Sequence, residues 1–157
     1  INFSGKYSFQ YVTNSTIKDS VLNTKDAFWH TKNLTVINCE INGEYLGWYS
    51  ENLHLINCKI KGTQPLCYCK NLVLTNCTMV DCDLAFEYSN VNGTINSVID
   101  SIKNPLDSNI SCLGVKEVIL DEFRKDSGNV IIKFERFWLE KHSGDFDTGD
   151  AHFFEFL

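Results

Sequence analysis

The sequence predicts an all-β fold: a single-stranded, right-handed parallel β-helix of about six 19-residue coils with a C-terminal cap. The nonapeptide NLTVINCEI at residues 33–41 recurs as NLHLINCKI at 52–60 and as NLVLTNCTM at 71–79. Apolar and polar residues alternate within each copy, which is the periodicity of a strand. A fixed period near twenty residues with short strands indicates a solenoid. A leucine-rich horseshoe and a left-handed hexapeptide helix fit this pattern and spacing less well.

Rows of nineteen residues bring like residues into columns. Inward Leu, Val and Ile are expected to fill the core, with neighbouring coils about 4.8 Å apart. A repeated Asn suits a tight turn, because Asn tolerates the left-handed conformation and its amide can bond to the Asn one coil away. The predicted structural ladders are Asn14, Asn33, Asn52, Asn71, Asn90 and Asn109, and the buried thiols Cys39, Cys58 and Cys77.

The same pattern divides the chain into β-helix coils at residues 1–121 and a capping segment at residues 122–157. The period weakens near Pro105 and is absent after Asp121. A β-helix exposes its core at each end, so an atypical terminal segment is expected there. At the N-terminal coil we expect either a missing segment or a partner chain, and the second case would make a homo-oligomer.

Composition excludes some partners. A net charge of -6 and a pI near 5.1 argue against nucleic acid, since phosphate contacts need clustered Lys and Arg. No apolar run reaches the ~20 residues of a membrane span.

The seven cysteines are an odd number, and Asn-X-Ser/Thr motifs recur inside the repeat. Both features favour a reducing, non-glycosylating compartment, which we interpret as bacterial cytoplasm.

An aromatic column precedes the asparagines by three residues, and a second column precedes them by four. Since neighbours in a strand point to opposite faces, one column is expected to face the core and the other solvent. An exposed aromatic strip could stack on sugar rings, although packing alone would also explain it. The ligand-binding candidates are Tyr11, His30, Tyr49 and Tyr68, together with Trp29 and Trp48.

Catalytic and metal-binding signals are weak. Asp81, Asp83 and Glu87 are the close acidic group on the coils, and a hydrolase would need two such carboxylates across a bond. A lyase would need a base, usually Arg or Lys, and no Arg occurs in residues 1–120. The tail motif GDFDTGD at 144–150 does not meet the EF-hand pattern, and the pair at 67 and 69 is not a C-x-x-C motif. We therefore predict no metal and no cofactor.

Six sequence segments are more specific than the repeat pattern requires: GKYSFQY (5–11), KDAFWH (25–30), GEYLGWY (43–49), GTQPLCYCKNL (62–72), DLAFE (83–87) and SIKNP (101–105). Over about residues 5–120 the chain resembles an uncharacterised, mainly bacterial family, domain-of-unknown-function family 3737. The resemblance implies a pectate-lyase-type right-handed β-helix, whose members generally carry further coils before this chain's first residue. It supplies no activity and no catalytic residue.

Three functional hypotheses follow. The leading one is a non-enzymatic binding module that contacts a carbohydrate or a protein partner through a lateral aromatic face. The alternatives are a polysaccharide-active hydrolase or lyase that uses the acidic group, and a structural unit that joins other chains through its N-terminal coil.

Overall fold

A computed structural model describes residues 1–121 and 129–134, and the backbone alone of residues 152–156. Within these ranges the regular elements are all β-strands, and they form a parallel β-solenoid of about seven turns spaced about 19 residues apart. The predicted fold is therefore confirmed. The strands are β1 Asn2–Lys6, β2 Thr13–Lys18, β3 Val21–Lys25, β4 Lys32–Ile37, β5 Glu40–Asn42, β6 His54–Ile56, β7 Lys59–Lys61, β8 Leu72–Val80, β9 Val91–Ile95, β10 Val98–Lys103, β11 Ser108–Ser111, β12 Gly114–Ile119, β13 Val130–Phe134 and β14 His152–Phe156.

Each early coil places one strand in each of two parallel ladders. One ladder runs β1-β3-β5-β7 and continues into the second half of β8, while the other runs β2-β4-β6 and continues into the first half of β8. Partners lie nineteen residues apart, as in Val36 with Leu55 and Ile41 with Ile60. This register explains the repeated nonapeptide, because each copy occupies the same place one coil further along.

The third side of the early coils is not a strand. In the segment 7–11, Tyr7, Phe9 and Tyr11 have φ of 55°, 60° and 59°, so every second residue is left-handed. The equivalent segments of the next coils follow the same alternation. Left-handed backbone is uncommon for aromatic residues, so the surrounding coils must impose it. The simple in-and-out alternation expected of a strand therefore does not apply to this side.

Stacked apolar columns form the core. Leu34, Leu53 and Leu72 are at most 1% exposed, and the column of Val36, Leu55 and Leu74 is equally buried. Full burial of one such side chain contributes about 1.5–3 kcal/mol. The predicted inward columns are thus confirmed in the coils that contain β4, β6 and β8.

Asparagines hold two corners of the coil. At the first corner, Asn33 Nδ2 donates to Asn14 Oδ1 (2.9 Å), and the same bond continues through Asn52 and Asn71. All four have φ between 50° and 55°, which confirms the predicted left-handed turn. A second ladder, which was not predicted, lies at the opposite end of the same strands. Its residues Asn38, Asn57 and Asn76 directly precede the ladder cysteines. It joins Asp19, Asn38, Asn57, Asn76 and Asn96.

The ladder cysteines are buried, as predicted, and they also act as donors. Cys39 and Cys58 each place Sγ 3.3 Å from the carbonyl oxygen two residues earlier. Ser20, in the preceding coil, makes the same bond through its hydroxyl at 2.8 Å. The column therefore needs a small side chain that can donate to a corner carbonyl.

The Asn ladder prediction is wrong at its C-terminal end. Asn71 receives a partner in Asn90, but there the backbone N–H of Asn71 donates to Asn90 Oδ1. Asn109 pairs with Asn92, seventeen residues earlier, so it does not continue the column. By that register the corner position in the next coil belongs to Asp107. The cause is a change in coil length, since the spacing falls from 19 to 17 residues between β9 and β11.

Parallel pairing continues beyond residue 121. Val130 pairs with Ser108, and His152 pairs with Val130, so both steps are 22 residues long. A longer, variable step explains why rows of nineteen lose the pattern. The capping role assigned to 122–157 stays a prediction, because residues 122–128, 135–151 and 157 lie outside the described residues. The acidic motif at 144–150 also lies there.

Candidate functional site

Five rings form a continuous stack along the third side of the solenoid, here named the outer aromatic stack. Successive ring centroids are 5.0, 5.1, 4.9 and 5.9 Å apart, with interplanar angles of 4°, 7°, 10° and 28°. Tyr11, Tyr49 and Tyr88 are 68%, 48% and 40% exposed, and His30 is also exposed. The members are Tyr11, His30, Tyr49, Tyr68 and Tyr88.

Backbone hydrogen bonds fix the spacing of these rings. The N–H of Tyr11 donates to the carbonyl of Trp29 (2.9 Å), and the N–H of His30 donates to that of Trp48 (3.0 Å). Each stack residue has φ between 53° and 60°, so all five project from the same backbone geometry. The rings therefore repeat once per coil because the chain repeats once per coil.

Stacking determines what the rings offer to a ligand. Each inner ring is covered on both faces by its neighbours, so the row presents ring edges to solvent. The hydroxyl groups of Tyr11, Tyr49 and Tyr68 make no hydrogen bond to any described residue, and each can both donate and accept. A sugar that stacks on the strip would need exposed ring faces, whereas the structure leaves mainly ring edges and hydroxyl groups.

The tryptophans lie beside the stack. Trp29 and Trp48 stack on each other at 5.1 Å and are half-buried, and each meets Tyr49 edge-on at 6.3 Å. Their indole N–H groups donate to backbone carbonyls of Tyr45 and Gln64. The expectation that one of the two columns faces the core is therefore wrong for these residues, because the segment is a turn with alternating φ.

The fifth stack residue is Tyr88, which the sequence analysis missed. Counting nineteen residues from Tyr68 placed Glu87 in the aromatic column. The stack positions, which share a left-handed φ, are instead 11, 30, 49, 68 and 88. One extra residue enters the coil after Val80, which moves Glu87 into the tryptophan column. A search for aromatic residues at twenty as well as nineteen residues would have found Tyr88.

Two of the acidic candidates, Asp81 and Glu87, form ion pairs with different lysines. Asp81 lies 3.7 Å from Lys61 on the exposed surface, and Glu87 lies 3.4 Å from Lys103 in a more enclosed place. Asp83 is exposed. Among residues 1–121 and 129–134, no group of three or more His, Cys, Asp or Glu side chains could hold a metal ion.

The surroundings of Tyr68 disfavour its ionised form. Burial, followed by the nearby Glu87 carboxylate, raises the pKa of the Tyr68 phenol above its ordinary value. Tyr68 therefore stays protonated at neutral pH and can donate a hydrogen bond. Its surroundings give no sign of an activated nucleophile.

Comparison with known proteins gives a family match. The family model described as "Protein of unknown function (DUF3737)" matches residues 1–133. No curated protein and no solved structure matches the chain. In the described part of the chain, no helix is long and apolar enough to cross a membrane.

Proposed function

The chain belongs to the DUF3737 family, whose function is unknown, and we propose that it is a non-enzymatic binding module for a carbohydrate chain. The observation that carries the proposal is the outer aromatic stack, five rings in a row on an exposed side of a rigid solenoid. The ligand lies along the solenoid axis and contacts successive coils.

A repeating surface suits a repeating ligand. The row offers tyrosine hydroxyls at intervals of about one coil, or about two where His30 intervenes. Sugar hydroxyls both donate and accept, which matches the hydroxyl groups of Tyr11, Tyr49 and Tyr68, which make no hydrogen bond to a described residue. Because the backbone holds every ring in place, binding costs little side-chain entropy.

The position of the tryptophans provides a direct test. Trp29 and Trp48 contact Tyr49 edge-on, so their fluorescence reports on the stack. Replacing Trp138 by Phe leaves these two as the remaining tryptophans. We would titrate this variant with glucans, xylan, mannan, soluble chitin oligosaccharides and polygalacturonate, and expect a saturable change with at least one of them.

Hydroxyl contacts are tested by removing two oxygens while keeping the rings. Tyr49→Phe with Tyr68→Phe should weaken binding about thirtyfold, because two hydrogen bonds of ~1 kcal/mol each are lost. Tyr7→Phe is the matched control, since Tyr7 is 60% exposed but outside the stack. Calorimetry that finds no binding to any polysaccharide, or equal binding by the double variant, would overturn the proposal.

A further inference from the structure

An open cavity of about 290 Å³ lies at the corner where the first Asn ladder changes character. Its lining includes Asn71, Asn90, Asn92, Asp107 and Asn109. Asn71 follows Tyr68 by three residues and Asn90 follows Tyr88 by two. The cavity therefore borders the C-terminal end of the outer aromatic stack.

Amide groups become available at this corner because the ladder breaks. In the first four coils each ladder amide bonds to the amide of the next coil. Asn90 lacks the left-handed φ of those residues, and its Oδ1 accepts the backbone N–H of Asn71 instead. The Nδ2 group of Asn90 is left with no acceptor among the described residues.

Two further amides stand beside it. Asn92 and Asn109 are direct partners on the adjacent strands β9 and β11, and both are exposed. Neither side chain makes a hydrogen bond within the ranges that the structure describes. The shortened 17-residue step is what brings them side by side.

We infer that this cavity is a binding subsite for an uncharged sugar unit of the chain held by the outer aromatic stack. Amides that donate and accept in neighbouring positions match vicinal hydroxyl groups. One carboxylate, Asp107, also faces the cavity; its Oδ1 accepts the N–H of Asn129 at 2.7 Å. A negative charge here disfavours a uronic acid, and the net charge of -6 acts in the same direction.

This inference rests on the proposed function and extends it to ligand class. The test is calorimetric titration of the full chain with cellohexaose, laminarihexaose, chitohexaose and oligogalacturonate. At least one neutral hexasaccharide should bind, and oligogalacturonate should bind at least tenfold more weakly. Binding of the acidic oligosaccharide alone would overturn the inference while leaving the proposed function in place.

Variants separate the cavity from the stack. Asn92→Ala with Asn109→Ala removes amides that make no hydrogen bond to a described residue, so the fold should persist, and binding should weaken at least tenfold. Asn2→Ala, an exposed asparagine on β1 in the other ladder, is the control. Asp107→Asn keeps an acceptor for Asn129 and should raise affinity for oligogalacturonate.

The outcomes are distinguishable. Unchanged binding by the Asn92/Asn109 variant, together with loss in the Tyr49/Tyr68 variant, would overturn the subsite and retain the stack as binding surface. No binding of any oligosaccharide or polysaccharide by the wild-type chain would overturn both.

Discussion

At the scale of single residues, small polar side chains support the corners of the coil. Ser50, Cys69 and Ser89 form one such buried corner, where Ser50 Oγ lies 3.2 Å from Cys69 Sγ and Ser89 Oγ donates to the carbonyl of Leu66. Corner carbonyls have no water to bond, so an adjacent hydroxyl or thiol satisfies them. Cysteine is therefore used here as a small, weakly polar residue of the core.

The thiols should be chemically inert in the native protein. All seven are buried and unpaired, and burial raises the pKa of Cys67, Cys82 and Cys112 to about 12 and that of Cys69 to about 11. Since the thiolate is the reactive form, we expect less than one thiol per chain to react with a disulfide reagent at pH 8. Seven should react after denaturation in guanidinium chloride. Rapid reaction of two or more native thiols would contradict the buried placement.

Asp26 should make stability depend on pH in an unusual direction. It is 5% exposed, its Oδ1 accepts no hydrogen bond from any described residue, and burial raises its pKa. Folding therefore favours the protonated form, so this group's contribution is largest below its unfolded pKa and is lost as pH rises through the folded pKa. Asp26→Asn should raise the free energy of unfolding at pH 7, with a gain that shrinks towards pH 3.

Urea unfolding across that pH range measures the effect. Asp83→Asn, at an exposed aspartate, is the control. A gain from Asp26→Asn that stays the same at pH 3 and pH 7 would contradict an electrostatic cause.

At the scale of elements, close approach between coils dictates some residues outright. Gly43 and Gly62 occupy equivalent turns with φ of 154° and 141°, and a Cβ on either would lie 2.0–2.1 Å from a carbonyl oxygen of the preceding coil. Neither the conformation nor the space admits a side chain. The turns that follow β5 and β7 therefore require glycine at these positions.

Gly62→Ala should destabilise the protein by at least about 3 kcal/mol, because the backbone of two coils must separate. Gly93→Ala is a matched control inside the core. A Cβ at Gly93 would have its nearest neighbours at 3.6–3.7 Å, which is ordinary contact. That variant should be neutral or more stable by up to about 1 kcal/mol. Equal losses in the two variants, measured by urea unfolding, would refute the close approach at residue 62.

At the scale of the whole molecule, each coil contacts mainly its immediate neighbours. The ladders run coil to coil without long crossovers, as in β2-β4-β6 and then β8. In such a solenoid, stability is approximately a sum over coils and the interfaces between them. A local change should therefore act most strongly on the neighbouring coils.

Leu55→Ala provides the test, because Leu55 is fully buried in the third coil. The substitution should cost about 2–5 kcal/mol. Hydrogen exchange should accelerate most in β4, β6 and β8 and least in β12. Equal acceleration across β4 through β12 would indicate a single all-or-none unit instead of coupled coils.

The repeat spacing in the sequence is enough to predict the solenoid, its period, its inward columns and the first four members of the Asn ladder. These features depend on identical backbone geometry repeated every nineteen residues, so spacing alone reveals them. It also named four of the five stack residues, although it could not decide which way they face. Binding by these residues stays a prediction.

The places where the repeat changes length become visible only in the folded chain. The added residue that brings in Tyr88, and the 17-residue step that pairs Asn109 with Asn92, depend on which backbone groups meet across coils. The same holds for the stacked ring faces, since the alternating left-handed segment is held by hydrogen bonds from neighbouring coils. A count along one chain cannot show these features, because long-range contacts set the register wherever the period is broken.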